Sequence, residues 1–263
     1  MTDQPLPSGQ DPAAAPLVEY ALEGDVARLH LNRPHRLNAV DAHLTPALVD
    51  ALRRAAADEA SAVVLAGRGR AFCAGHDLKE EPPLEQPWQT RARLEEIQEV
   101  TRLVRRFPGP VIAAVHGYAL GAGCEFALAC DVVVADEESR FGFPEVGVGL
   151  SVTGGISTLL PALVGWARAK ELLLLGEHVT GAQAAAMGMV ARAVPSGTHE
   201  DVALDLARRM AARPRLSTSL AKRVLDAGVD AAIEQSMATE VEHAMLTALS
   251  GENAAPRQEF TRA

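Results

Sequence analysis

Three short, uninterrupted apolar runs constrain the fold of this chain most: Ser61–Ala66 (SAVVLA), Pro110–Val115 (PVIAAV) and Asp131–Asp136 (DVVVAD). Each is of strand length, rich in β-branched residues and without polar alternation, so each reads as a buried strand. The segments between them supply helices. His43–Asp58 sets Leu44, Leu48, Ala51, Leu52 and Ala55 at helical spacing, and Arg91–Phe107 reads as a more polar helix. Ahead of these, Leu17–Leu22 and Val26–Leu31 flank Gly24-Asp25, the signature of a hairpin. Beyond Asp136 strands become scarce. Helical patterns fill Ile156–Leu163, Ala167–Leu175, Ala182–Met187, Glu200–Ala212, Leu216–Ala227 and Ala232–Ser250. The order predicts an α/β core over 17–197 with a C-terminal helical region over 198–263.

Composition narrows the class of function. With 263 residues, 48% of them hydrophobic, the chain can bury a large core. A formal net charge of −9 argues against nucleic acid as a partner, although a few local cations still suffice for a small anionic ligand. Cys73, Cys124 and Cys130 are odd in number and lack metal-type spacing, which suits a reducing cytoplasm. No apolar run approaches the ~20 residues of a membrane helix. Residues 1–16 carry four prolines among small and polar residues and lack an apolar signal core, so a disordered lead-in is expected there.

Several motifs fail on inspection. GAGCEF (Gly121–Phe126) and GRGRAF (Gly67–Phe72) lack the third glycine of a dinucleotide fingerprint. Neither a phosphate-binding GxxxxGK[ST] nor a GxSxG nucleophile elbow occurs. His76-Asp77 has no further ligand at metal spacing, so no metal site is expected. His178, His199 and His243 follow no pattern and read as surface residues.

Four other stretches combine into a resemblance. LNRPHRLNAV (Leu31–Val40) is similar to NRPxxxNA, and GRGRAFCAGHDLKE (Gly67–Glu80) to AFxAGxDLKE. HGYALGAGCEFALACD (His116–Asp131) is similar to NGxAxGGGxELAxxCD, and RFGFPEVGVGL (Arg140–Leu150) to FGxPExxxGL. In this order and at these intervals they resemble the crotonase superfamily, the enoyl-CoA hydratases and isomerases, from about Tyr20 onward. The resemblance implies a crotonase-like spiral of ββα units with a C-terminal α-helical trimerisation region. It also implies a homotrimer or dimer of trimers, no redox or metal cofactor, and coenzyme A only as part of an acyl-CoA substrate.

The chemistry that the resemblance implies suits the residues. A thioester enolate needs fixed donors where its charge develops. Glycine-rich turns bring backbone N–H groups close to a ligand. By position, the oxyanion donors are the N–H groups of His76 and Ala122. Ala122 is expected to open a helix, so its N–H is a first-turn donor at the positive end of the dipole. Glu125 and Glu145, two acids in small, apolar surroundings, are the expected proton carriers, with perturbed pKa values. In the resembled hydratases the residue matching Glu125 helps activate water, and the residue matching Glu145 exchanges a proton at the α-carbon. Relatives that only shift a double bond usually lose the first acid. The expected activity is therefore hydration of a 2-enoyl-CoA, the alternative being isomerisation or dehydration of a hydroxyacyl-CoA in a biosynthetic route. A non-catalytic, RNA-binding relative is disfavoured by the negative charge and the intact acid pair.

Around the oxyanion loop, Ala74, Asp77 and Leu78 are expected to line the substrate. Arg70 and Lys79, with Arg36 and Lys222 behind them, are expected to meet the CoA phosphates. The loop Glu81–Trp88, with Leu84 and Trp88, is expected to cover the acyl pocket. In Ala232–Ser250 the stripe Ile233, Met237, Val241, Met245 and Leu249 must be buried against something, and an oligomer contact is the expectation. Two departures stand out: SVTGGISTLL (Ser151–Leu160) replaces the GAGGTQRL common in hydratases, and GAG replaces GGG at Gly121–Gly123. The first alters the wall near the reacting carbons.

Overall fold

A computed structural model describes residues 15–79 and 86–252. Most of the predicted N-terminal lead-in and the Leu84 part of the predicted lid lie outside these residues. Strands β1 (Val18–Glu23) and β2 (Val26–Leu31) form the predicted hairpin, antiparallel with Val18 opposite Leu31. From β2 the sheet continues in parallel through β3 (Ala62–Gly67), β4 (Val111–Val115), β6 (Val132–Asp136) and β9 (Arg192–Val194). A second, three-stranded sheet joins β5 (Tyr118–Leu120), β7 (Arg140–Gly142) and β8 (Val179–Thr180).

The sheet is covered on both faces, which is why its strands read as continuous apolar runs. Val63, Leu65, Val111, Ala113 and Val115 face the main core. That core includes buried residues of α1 (Leu44–Ala57), α2 (Pro87–Arg106) and α3 (Ala122–Ala129). The alternate residues Ala62, Val64, Ala66, Ile112 and Ala114 face Ala203, Leu204, Leu206 and Ala207 of α7 (His199–Ala211). The helical segment beyond 198 is thus more than an appendage, because its first helix is one layer of the core. Strand β4, strand β5 and helix α3 follow one another as a ββα unit. At the matching point after β3, Cys73 bridges to Ala119 of β5.

Three expectations need correction. Helix α2 begins at Pro87, not Arg91: Gln86 and Gln89 form a capping box and proline occupies the first turn, where it costs no hydrogen bond. Trp88 is consequently a helical residue, 68% exposed in the single chain. The apolar stripe of α9 (Asp230–Ser250) is largely covered within the chain, since Ile233, Met237 and Val241 are buried and α9 packs on α2 and on α4 (Ile156–Val164), whereas Leu249 near its end is exposed. Another uncovered apolar row lies on α8 (Arg215–Ala227): Leu216, Leu220, Val224 and Leu225.

Lys222 is the third correction. It is the buried residue of α8, and its ammonium donates to the carbonyls of Val104 and Gly109 and meets the Asp131 carboxylate at 2.8 Å. Gly109 and Asp131 lie at the entrances of β4 and β6, so Lys222 fastens α8 at the end of the sheet opposite the glycine-rich turn. Held there by three acceptors, it is no ligand for a phosphate.

Candidate active site

The predicted oxyanion segments lie side by side. Phe72 N–H donates to His116 O (2.9 Å), Cys73 N–H to Tyr118 O (2.9 Å) and Leu120 N–H to Cys73 O (3.0 Å). These bonds carry the 72–77 loop along the edge of β5 toward the start of α3. Gly75 (φ +86°) allows the closest approach, for a Cβ there would lie 2.7 Å from Leu120 O and 3.6 Å from Gly121 Cα. The turn carrying His76 therefore abuts the turn carrying Ala122. Val40 is bridged by the C=O of Gly75 (2.7 Å) and the N–H of Asp77 (2.9 Å), so the N–H of His76, between them, faces away from Val40.

Buried polar residues of the Leu31–Val40 segment staple this loop. Asn38 is fully buried with φ +55°; its side chain accepts from Arg33 N–H and donates to the carbonyls of Arg68 and Ala71. The Arg33 guanidinium lies between Asp41 (2.9 Å) and Asp77 (3.3 Å) and also donates to Ala39 O. Asp77 accepts from Lys79 N–H as well, and Arg36 approaches it at 3.9 Å. The carboxylate of Asp77 thus works inside the loop, holding the His76 turn in place. Ala74 and Leu78 are half-buried in the same turn, whereas Arg36, Arg70 and Lys79 are exposed around it. Sequence reasoning quoted Arg33, Asn38 and Asp77 within its motifs but gave Arg33 and Asn38 no task.

Helix α3 carries the first acid. Gly121, with φ +51°, precedes it and donates to Gly142 O (3.0 Å); Ala122 is its first residue. All eight residues of α3 are buried, and Glu125 is 1% exposed. Both of its oxygens are met by Thr153: the Thr153 N–H donates to Oε1 (2.7 Å) and its hydroxyl lies 2.6 Å from Oε2. The second acid, Glu145, sits in a short 3-10 turn, Pro144–Val148, and is buried too. Its Oε1 lies over Gly121, 2.7 Å from where a Cβ there would be; that residue has to be glycine. Among the described residues Glu145 Oε2 has no hydrogen-bond partner.

Burial drives the electrostatics. It raises the Glu125 pKa well above the ordinary carboxylate range, and the nearby charge of Glu145 raises it further, against the two Thr153 hydrogen bonds. Burial likewise raises Glu145. The two acids titrate as a pair that keeps a proton toward neutral pH. Around Gly121 the structure thus brings together two acids, one helix-opening N–H and the His76 turn. Such a group can transfer protons beside a carbonyl whose oxygen is held by backbone donors.

Comparison with known proteins places the fold and the sequence in a family. The Enoyl-CoA hydratase/isomerase family model matches residues 22–255. A 2,3-dehydroadipyl-CoA hydratase of Escherichia coli (strain K12) is 39% identical over 217 residues, which span 82% of this chain and 84% of the relative. An enoyl-CoA hydratase structure from Mycobacterium avium subsp. paratuberculosis K-10 superposes with a TM-score of 0.85 at 28% identity, covering 94% of this chain and 96% of that one. An enoyl-CoA hydratase/isomerase from Xanthobacter autotrophicus Py2 gives a TM-score of 0.80 at 33% identity, with 94% and 93% covered. The two-sheet α/β architecture with its C-terminal helices and the match across nearly the whole chain lead to one assignment: this chain belongs to the enoyl-CoA hydratase/isomerase (crotonase) family.

Proposed function

We propose that the protein is an enoyl-CoA hydratase that adds water reversibly to a 2-enoyl-CoA. The observation that carries this reading is a pair of buried acids that feel each other's charge, Glu145 over Gly121 and Glu125 in the first turn of the helix that Ala122 opens. The thioester oxygen accepts from the N–H groups of Ala122 and His76. Glu125, ionised, takes a proton from water as the water oxygen bonds to C3. The C2–C3 π electrons move into the thioester enolate, and C2 takes the proton carried by Glu145. One proton enters the pair and one leaves, so the pair is neutral in protons over the turnover. Ala74, Asp77 and Leu78 shape the acyl-CoA entrance, and the exposed Arg36, Arg70 and Lys79 meet the CoA phosphates.

The name of the Escherichia coli relative supports hydration, and the acyl group it names is one candidate to assay here. A second reading, double-bond isomerisation or hydroxyacyl-CoA dehydration, has an observation of its own. Thr153 engages both oxygens of Glu125, whereas Glu145 has one oxygen without a partner among the described residues, with which to shuttle a proton alone. The test is loss of enoyl absorbance on a panel of 2-enoyl-CoAs, run beside a 3-enoyl-CoA. Hydration of at least one 2-enoyl-CoA is expected, and conversion of the 3-enoyl-CoA alone overturns the reading. The uncovered row of α8 supports a trimer, or a dimer of trimers, assembled through that helix. Light scattering on Leu220→Asp tests this: smaller particles than wild type are expected, and an unchanged assembly overturns it.

Among the described residues no helix is long and apolar enough to cross a membrane. We assign the protein to the cytoplasm, with an acyl-CoA as its partner molecule rather than nucleic acid or membrane.

A further inference from the structure

The segment that departs from the usual hydratase pattern, Ser151–Leu160, is held from every side by buried polar groups. Gln98 and Thr101 of α2 are both fully buried. The Gln98 side chain accepts from Gly154 N–H (2.8 Å), and the Thr101 hydroxyl donates to Gly154 O (3.1 Å). From α9, Glu240, 3% exposed, accepts from the N–H groups of Gly155 (2.8 Å) and Ser157 (3.0 Å) and from the Ser157 hydroxyl (2.7 Å). Glu240 thereby closes the amino end of α4, whose own N-cap, Gly155, has no side chain to do so. Next to these fixed points stands Thr153, itself 4% exposed, with both its N–H and its hydroxyl on Glu125.

We propose that Thr153 is a positioning residue for the reaction, its hydroxyl fixing the Glu125 carboxyl, and that Gln98, Thr101 and Glu240 hold Thr153 in register. A carboxyl on a three-bond side chain is free to rotate unless both ends are fixed. The backbone N–H of Thr153 fixes Oε1, and any residue at 153 other than proline would supply it. The hydroxyl fixes Oε2, and only serine or threonine supplies that. With both oxygens set, one unshared pair on each remains to face water. A second consequence is chemical: two donors stabilise the ionised carboxylate and keep Glu125 able to act as a base despite burial. Glu145 and Glu240 are the other acids whose charges reach Glu125, and both oppose its ionisation. This inference rests on Glu125 being the water-activating base.

The test compares Thr153→Val, which keeps shape and backbone N–H, with Thr153→Ser, which keeps the hydroxyl. Two readouts are taken for each: the pH profile of kcat and KM on a 2-enoyl-CoA, and the ¹³C carboxyl titration of labelled glutamates, with Glu125 identified by its absence in Glu125→Gln. Thr153→Val is expected to lose about 10-fold or more in kcat, as deletion of one buried hydrogen bond to a charged group does, with KM nearly unchanged. Its acid limb and the Glu125 midpoint should both move to higher pH, because a donor to the ionised form is gone. Thr153→Ser should restore all of these. A Thr153→Val protein with wild-type rate and midpoint overturns the proposal, as does a serine variant impaired equally with valine. Should the valine variant fail to fold, Thr153→Ala is read by the same criteria. If the wild type hydrates no 2-enoyl-CoA, the hydratase reading falls, while the midpoints of the variants still decide whether Thr153 governs Glu125.

Discussion

Glu125 and Glu145 are the same side chain in two unlike settings. Glu125 belongs to a helix buried along its whole length, and each of its oxygens is met by Thr153. Glu145 belongs to a five-residue turn with exposed neighbours, Val146 and Gly147, and one of its oxygens meets nothing among the described residues. Burial raises both pKa values; two Thr153 donors favour the Glu125 anion, whereas Glu145 has only its own backbone N–H to do so. The lesson is that burial alone does not allot the roles of two acids. In the proposed reaction their donors do, leaving one held as a base and the other open to exchange its proton.

The largest effect expected is that of Glu145→Gln, which removes the exchangeable proton from the open side of the pair. Rates on both 2-enoyl- and 3-enoyl-CoA should fall by about 10²–10⁴, the usual size of a general acid–base contribution. Full activity would mean that another residue carries the proton. Glu125→Gln sharpens the contrast: hydration should fall over the same ~10²–10⁴ range while any double-bond shift falls much less. Equal losses on the two substrates would erase the distinction between the acids.

Ala122→Pro asks whether both acids depend on the backbone donor between them. Proline is tolerated in the first turn of a helix and deletes only the N–H, so a loss of roughly 10²–10³ in kcat is expected without unfolding. Circular dichroism and initial rates check it.

The fourth effect is on stability and carries a sign. A carboxyl whose pKa is raised by folding stabilises the native state below its unfolded value, near ~4.3, and loses that contribution as pH rises through the folded value. Glu145→Gln is neutral at every pH, so its advantage over wild type should grow from pH 5 to pH 8, reaching ~2–4 °C in Tm. Glu125→Gln removes a group whose pKa is also raised, so its stability relative to wild type should likewise rise with pH, but from a lower starting point, because an amide N–H would then face one of the Thr153 donors. Calorimetry at both pH values decides, and a Glu125→Gln protein as stable as Glu145→Gln at pH 5 would break the comparison. The smallest effect is that of His76→Ala, which keeps its N–H and should retain most activity; a large loss in kcat would give the imidazole a task.

How much of this was readable from the sequence follows from what each signal encodes. The buried strands were legible because residues covered on both faces must all be apolar. Strands β5, β7 and β8 were not, since two or three residues carry no period and exist only through pairing. The stripe on α9 was visible as amphipathic, but periodicity tells that a face is buried and not against what. Proline-rich Glu80–Trp88 read as loop although Gln86, Pro87 and Gln89 already spelled a helix start. The acids emerged from motif spacing. Thr153 did not, because its bonds to Glu125 span 28 residues and nothing local to either residue announces them.

The grip of Glu240 on Gly155 and Ser157 also orders events in time. Glu125 is made before the loop bearing Thr153, and the acid that holds this loop is made later still, on α9. Until α9 has left the ribosome and docked, Gly155 and Ser157 lack their acceptor and the amino end of α4 is unclosed. Long-range closure of this kind is slow compared with local helix formation. A nascent chain therefore holds most of its sheet before the Thr153 loop is set, and that loop is set only once α9 has been made.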